Sequence, residues 1–267
     1  MSANDLDRAE TYFAFGKNWA DYSALIDDKR IGEAKEALLK LIPENELRGR
    51  SFLDIGCGSG LHALAAAHIG VSRILAIDRD VESVATARGL LSAKKLDTPW
   101  TVKTMSVFDL DPERDGRFDV VYSWGVLHHT GAMWEALKKA AAMVAPHGLL
   151  AIALYRKTRL DAVWTFEKRL YARAPEPVQA TIRAGFIAAF RLAEMAAGKV
   201  YQPDRGMDFS HDVHDWLGGY PYETASPAEV EERLNDLGFR SERVVNRRTH
   251  LLGLLGNGND EYLYRRA

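Results

Sequence analysis

The chain is poor in cysteine, in long apolar runs and in net charge, and each shortage removes a class of protein. Its single cysteine, Cys57, permits no internal disulfide, which fits a reducing compartment and excludes a disulfide-stapled secreted scaffold. No apolar stretch approaches the length needed to cross a bilayer as a helix. Met1 to Glu10 is polar and acidic, without the apolar centre of a signal peptide. A soluble, cytoplasmic protein with no membrane partner is expected. The formal net charge of -2 gives no basic field to gather nucleic acid, and Lys138-Lys139, Arg247-Arg248 and Arg265-Arg266 read as solvated edges. Internal repeats and low-complexity tracts are also missing. The 267 residues, 47% hydrophobic and 27% charged, suffice for one well-packed domain with an insertion.

What is present is concentrated first between Phe52 and Gly60, an apolar run broken by Asp54 and ending in the alternating glycines Gly56, Gly58 and Gly60. Ser51 to Ile55 predicts a buried strand, and Leu61, Leu64, Ala65 and Ile69 have helical spacing. The glycines therefore form a strand-to-helix turn where backbone can approach a ligand with no Cβ in the way. A dinucleotide-binding turn needs G-x-G-x-x-G, and here the third glycine arrives one position early, since Leu61 stands where it should be. Cys57, inside the turn, reads as a small buried packer.

The pattern continues with acids at strand ends. Arg73 to Ile77 predicts a second strand ending at Asp78, where a carboxylate can accept both hydroxyls of a ribose. Trp100 to Val107 predicts a third, ending at Phe108-Asp109. Phe118 to Ser123 predicts a fourth, leading into Trp124-Gly125-Val126-Leu127-His128-His129-Thr130. Gly148 to Tyr155 predicts a fifth, after the Pro146-His147-Gly148 turn. Helical patterns at Val81 to Leu91 and Gly131 to Val144 lie between them, and the alternation predicts an α/β fold with a parallel, doubly wound sheet.

Before the first strand, Tyr12 to Trp19 is dense in aromatics and Ile31, Ala34, Leu38 and Leu41 mark an amphipathic helix, either a cap on the sheet edge or a lid over a ligand. After Tyr155, Leu160 to Ala174 and Val178 to Ala197 predict two helices broken at Pro175-Glu176-Pro177. Arg205 to Glu223 reads as a loop, too rich in titratable and aromatic residues for a core. Ser226-Pro227-Ala228-Glu229 opens a further helix with a capping box that Gly238 ends, and Arg243 to Asn246 and Asp260 to Arg265 predict the last two strands. The divisions expected are a helical cap (1–48), a ligand-binding core (49–155), a helical insertion with acceptor loop (156–222) and a final helix with two strands (223–267), all within a single domain.

The glycine turn, the preceding acid and the ordered strand-end acids resemble the class I S-adenosylmethionine-dependent methyltransferases. The blocks Phe15 to Trp19, Ser123 to Gly131, Arg205-Gly206-Met207, Asp215 to Pro221 and Asn259-Asp260-Glu261 are similar to a bacterial group resembling the quinol methylase-like small-molecule methyltransferases. The resemblance implies a Rossmann-like sheet of seven strands with the last antiparallel. It implies S-adenosyl-L-methionine as cofactor, S-adenosyl-L-homocysteine as product, and a cofactor site of Asp54, Gly56, Cys57, Gly58, Gly60, Asp78, Arg79, Val107, Phe108, Asp109, Ser123 and Trp124. Asp54 would orient the ammonium group, and Asp109 would accept from the adenine amino group.

Methyl transfer from a sulfonium needs an acceptor held in line and water excluded, with a base if the acceptor is a hydroxyl. Histidine suits that role at neutral pH. His128 and His129 follow the fourth strand on the edge that faces the methyl group, and His211 and Asp212 in the late segment are rivals. Phe15, Trp19, Arg205, Trp216 and Tyr220 are expected to bind a small-molecule acceptor. His128, His129, His211, Asp212, His214 and Asp215 have no recognised metal-ligand spacing, so no metal is expected. A methyltransferase acting on protein or RNA, or a non-catalytic binder of the cofactor, are the alternatives; the missing basic stripe argues against RNA.

Overall fold

All five residues of β1 (Ser51–Ile55) are buried, as in a strand covered on both faces. The computed structural model describes residues 16, 19, 22, 23, 25–198, 209–246 and 258–267. In it β1 is central to a seven-stranded sheet with β2 (Arg73–Asp78), β3 (Trp100–Thr104), β4 (Phe118–Trp124), β5 (Val144–Tyr155), β6 (Phe239–Val245) and β7 (Asn259–Arg266). The spatial order is β3-β2-β1-β4-β5-β7-β6. Strands β1 to β5 pair in parallel, and β7 runs antiparallel between β5 and β6. The order reverses between β1 and β4, and ligands of open α/β sheets lie in the crevice at that point, beyond the carboxyl ends of the strands.

Among the described residues the longer helices are α1 (Asp28–Leu41), α2 (Leu61–Ile69), α3 (Val81–Ser92), α4 (Met133–Ala142), α5 (Asp161–Arg173), α6 (Glu176–Ala197), α7 (Phe209–Gly218) and α8 (Pro227–Asp236). Side chains alternate across a strand, so β1 sends Phe52 to one core and Leu53 and Ile55 to the other. The first core joins α1, α2 and α3 to the sheet through Leu38, Leu64 and Val84. The second joins α4 and α8 through Leu137, Val230 and Leu234. A separate cluster of Tyr171, Val213 and Leu217 holds α5, α6 and α7 together between β5 and α8.

Three strand boundaries and one element differ most from the sequence reading. Strand β3 ends at Thr104 rather than Val107, because the Ser106 hydroxyl accepts from the Phe108 N–H and caps a short 3-10 turn over Val107–Asp109. Strand β5 begins at Val144, upstream of the expected Gly148, with His147 at φ 61 inside it and an irregular register against Phe118 and Val120. Strand β6 begins at Phe239, not Arg243, since pairing with β7 extends to Phe239 opposite Arg266. The largest difference is α7, where a loop was expected. Val213 and Leu217, four residues apart, form its buried stripe, and the titratable His211, Asp212, His214 and Asp215 conceal that period.

Candidate cofactor and acceptor site

The glycine turn after β1 is a place where side chains do not fit. A Cβ on Gly56 would come within 2.4 Å of Val126, from the loop after β4, and one on Gly60 within 2.9 Å of Ala87 on α3. On Gly58 it would meet the Trp19 indole at 2.9 Å. All three glycines have positive φ, a conformation that side-chain-bearing residues adopt at a cost. Three elements thus converge on a bare backbone, the cradle the expected cofactor requires. Cys57 is buried, and burial holds its thiol well above the ordinary range, as suits a packing residue.

Asp78 closes one side of the turn. Its carboxylate accepts from the Gly58 N–H at 3.0 Å and the Asp80 N–H at 2.9 Å, one to each oxygen. Each oxygen keeps a lone pair, so both ribose hydroxyls can still be accepted. Burial raises its carboxyl above the usual range, opposed by those two N–H groups. We expect Asp78→Ala to weaken binding of S-adenosylmethionine by about 1–3 kcal/mol, the cost of losing charge-assisted hydrogen bonds, read by calorimetry.

The other cofactor candidates divide. Asp54 is buried in β1, Val107 is buried and Phe108 half-buried beside the second core. Asp109 is exposed, and its carboxylate accepts weakly from the Ser106 N–H at 3.4 Å. Arg79 is exposed. Ser123 is fully buried and donates to the Ile55 carbonyl at 3.1 Å, tying β4 to β1. The Trp124 indole N–H donates to Glu261 at 2.7 Å. These last two position the strand ends.

On the acceptor side, the described part of the N-terminal segment lies over the cradle. A Cβ on Gly16 would overlap the Asp80 carboxylate, and Trp19 rests on Gly58. The Trp19 ring is 5.8 Å from Tyr22, which is 5.8 Å from His211 on α7. A chain of rings therefore runs from the glycine turn to the insertion. Phe15 and Arg205 lie outside the described residues.

The histidines after β4 are both engaged. His129 Nδ1 bonds the Pro221 carbonyl at 2.8 Å, and burial pushes its ring down to about 3, opposed by that carbonyl. His128 is fully buried, stacked 3.9 Å from Tyr155, and its Nδ1 accepts from the Tyr155 N–H at 3.2 Å. Around them the segment after α7 is stitched to the β4 loop: Glu223 N–H donates to the His128 carbonyl at 3.0 Å, and the Glu223 carboxylate accepts from Met133 at the start of α4 at 2.9 Å. Tyr220 is half-buried in this segment. Trp216 packs against Trp164 at 4.5 Å and Phe186 at 5.2 Å. Asp212 and Asp215 lie close enough to Tyr155 that their charges add to burial in raising its hydroxyl.

Sequence reasoning missed Lys168, which is fully buried on α5. It donates to the Trp216 carbonyl and stands 4.0 Å from the Trp216 ring, 5.1 Å from Tyr222 and 5.7 Å from Tyr155. Nothing local marks it, because lysine on an amphipathic helix is ordinarily solvated. Among the described residues no three His, Cys, Asp or Glu side chains group as metal ligands would, and no helix is long and apolar enough to cross a membrane.

Comparison with known proteins agrees with this geometry. The family profile described as a methyltransferase domain matches residues 53–152, the stretch from β1 into β5. The ubiquinone biosynthesis O-methyltransferase of Xanthomonas oryzae is 31% identical over 172 residues, covering 60% of this chain and 70% of that protein. Its namesake from Bradyrhizobium diazoefficiens is 29% identical over 133 residues, 48% of this chain and 51% of the relative, so the chain spans about half that protein's length. Among solved structures, magnesium protoporphyrin IX methyltransferase from Synechocystis with bound S-adenosylmethionine superposes with a TM-score of 0.52 at 15% identity, covering 89% of this chain and 79% of that one. An N-methyltransferase from Bradyrhizobium japonicum gives 0.52 at 13% identity, covering 90% and 98%. Shared fold, bare glycine cradle and sequence likeness converge: the chain belongs to the class I S-adenosylmethionine-dependent methyltransferases.

Proposed function

We propose that this chain moves a methyl group from S-adenosylmethionine to a hydroxyl oxygen of a small molecule, with His211 taking the proton. The observation that carries the reading is the ring chain from Gly58 through Trp19 and Tyr22 to His211, which supports an acceptor wall beside the glycine turn. The relatives named as O-methyltransferases of ubiquinone biosynthesis favour oxygen as the acceptor atom.

When bound, the cofactor supplies a methyl on a positively charged sulfur that leaves as a neutral thioether. The chain's own part is orientation and exclusion of water, which together lower the barrier without covalent catalysis. Asp78 and the glycine turn would hold the donor. Trp19 and Tyr22 dry the approach, and His211 with Asp212 beside it accepts the hydroxyl proton as the C–O bond forms. His128 is a poorer base because its Nδ1 lone pair already accepts from the Tyr155 N–H, and His129 because burial disfavours its protonated ring.

Incubation with methyl-labelled S-adenosylmethionine and a small-molecule extract tests the reading. Label should appear in the solvent-soluble fraction and fall sharply in His211→Ala. Label confined to precipitated protein or RNA would point to the macromolecular alternative. Cofactor binding without label in any fraction would point to a non-catalytic binder.

A further inference from the structure

The hydrogen bonding of His128 gives it a role opposite to that of a base. The Tyr155 N–H donates to Nδ1 at 3.2 Å, so Nδ1 presents a lone pair and the proton of the neutral ring sits on Nε2. Burial, with the charges of His129 and Lys168 adding to it, holds the ring well below its ordinary range and keeps it neutral. Nε2 is buried and meets no hydrogen-bond partner among the described residues. A buried donor left unmade is costly, and it persists where a ligand completes it.

Lys168 adds the second half. Its ammonium stands 5.7 Å from the centre of the Tyr155 ring, and His128 stacks on that same ring. Among the described residues Lys168 makes no ion pair within 4.0 Å, and its hydrogen bond goes to the Trp216 carbonyl. An ammonium has three donors, so two remain for a ligand. Glu167, next along α5, has both carboxylate oxygens buried and without a hydrogen-bond partner. Burial pushes the Glu167 carboxyl up and the Lys168 ammonium down, each toward its neutral form, with the charge of the other opposing the shift; an anion brought to Lys168 favours its charged form.

We propose that His128 Nε2–H and Lys168 form an anion clamp that holds an ionised oxygen of the acceptor other than the hydroxyl that is methylated, a phenolate or a carboxylate. The inference rests on the methyltransferase reading and deepens it by naming the charge of the group bound on the acceptor side. A neutral imidazole acting as donor to a developing oxyanion is an established device in enzymes. Here the backbone of Tyr155 fixes the tautomer, and the aromatic wall of Tyr155, Trp216 and Tyr222 keeps water from competing.

The test uses the full chain saturated with S-adenosylhomocysteine, and 4-nitrophenol, whose anion absorbs visible light, as probe. Calorimetry of S-adenosylhomocysteine comes first: its failure to bind would remove the methyltransferase site itself, whereas binding leaves that reading standing and puts only the clamp at risk. At a pH below the probe's own midpoint, the complex should raise visible absorbance, because the clamp selects the anion. His128→Phe keeps the stack on Tyr155 and should bind the probe about tenfold more weakly, the loss of one hydrogen bond to a charged oxygen. His128→Gln, with an amide N–H in place of Nε2–H, should recover most of that loss. Lys168→Met should lose most of the absorbance rise while S-adenosylhomocysteine still binds. Displacement of the probe by benzoate would assign a carboxylate acceptor; no displacement would assign a phenolate. A probe bound as the neutral phenol, a probe that does not bind the wild-type complex, or a His128→Phe variant that binds it unchanged would each overturn the clamp. The wild-type absorbance decides the matter even if a variant fails to fold.

Discussion

Gly58→Val should abolish cofactor binding in calorimetry, lowering affinity by at least about a hundredfold, equivalent to ~2.7 kcal/mol. Gly58 sits at φ 52, a region that a β-branched residue enters only with strain of order 1–3 kcal/mol. Its added Cβ would meet three indole atoms of Trp19 at 2.9, 3.0 and 3.3 Å, so the ring that covers the turn must move as well. The Gly58 N–H that orders Asp78 at 3.0 Å would be displaced with it. Strain, lost cover and a misplaced ribose acid act on the same ligand. Gly58→Ala should fall between wild type and Val, because it carries the backbone strain with less bulk. Unchanged affinity in the Val variant would remove the glycine turn from the cofactor site.

Asp260→Ala should cost about 3 kcal/mol of stability, the usual result of breaking a buried ion pair from one side. Asp260 is fully buried in β7 and accepts from the Nε and Nη2 groups of Arg156, which follows β5. Arg156 keeps only 25% of its side chain exposed, so water replaces the lost carboxylate poorly. For a chain of this size that loss lowers the melting temperature by roughly 6 °C or more. Asp260→Asn retains one acceptor oxygen and should lose less. The consequence reaches the site, since β5 ends at Tyr155, on which His128 stacks. A melting temperature unmoved in Asp260→Ala would mean that the chain relaxes to hydrate Arg156 and that the pair does not anchor this edge.

The Asp260 pair also shows where sequence reading reaches and where it stops. The block Asn259-Asp260-Glu261 stands out in the sequence as part of a resemblance, yet only the fold supplies its work. Asp260 grips Arg156, 104 residues earlier in the chain, and Glu261 accepts from Trp124, 137 residues earlier. Conversely, the capping box at Ser226 and Glu229 was legible because both partners lie within one helical turn, and it is present as expected.

The same division runs through the whole protein. The sequence by itself determined the β1-turn-α2-β2 unit: strand, glycine turn, helix and strand-end acid are consecutive, and their periodicity and spacing are local properties of the chain. Even there, boundaries moved where a cap or a pairing partner intervened, as Ser106 does at the end of β3. The half proposed to face the acceptor was decided by tertiary structure. Helix α7 hid behind titratable residues whose helical period only its burial against Tyr171 reveals. His128 is a candidate base by its place after β4, and only the fold brings the Tyr155 N–H, 27 residues away, onto its Nδ1. Lys168 became unusual only when β5, α7 and the segment after it closed three rings around its ammonium. Burial and long-range hydrogen bonds assign a polar side chain its chemistry, and neither is written in the spacing of its neighbours.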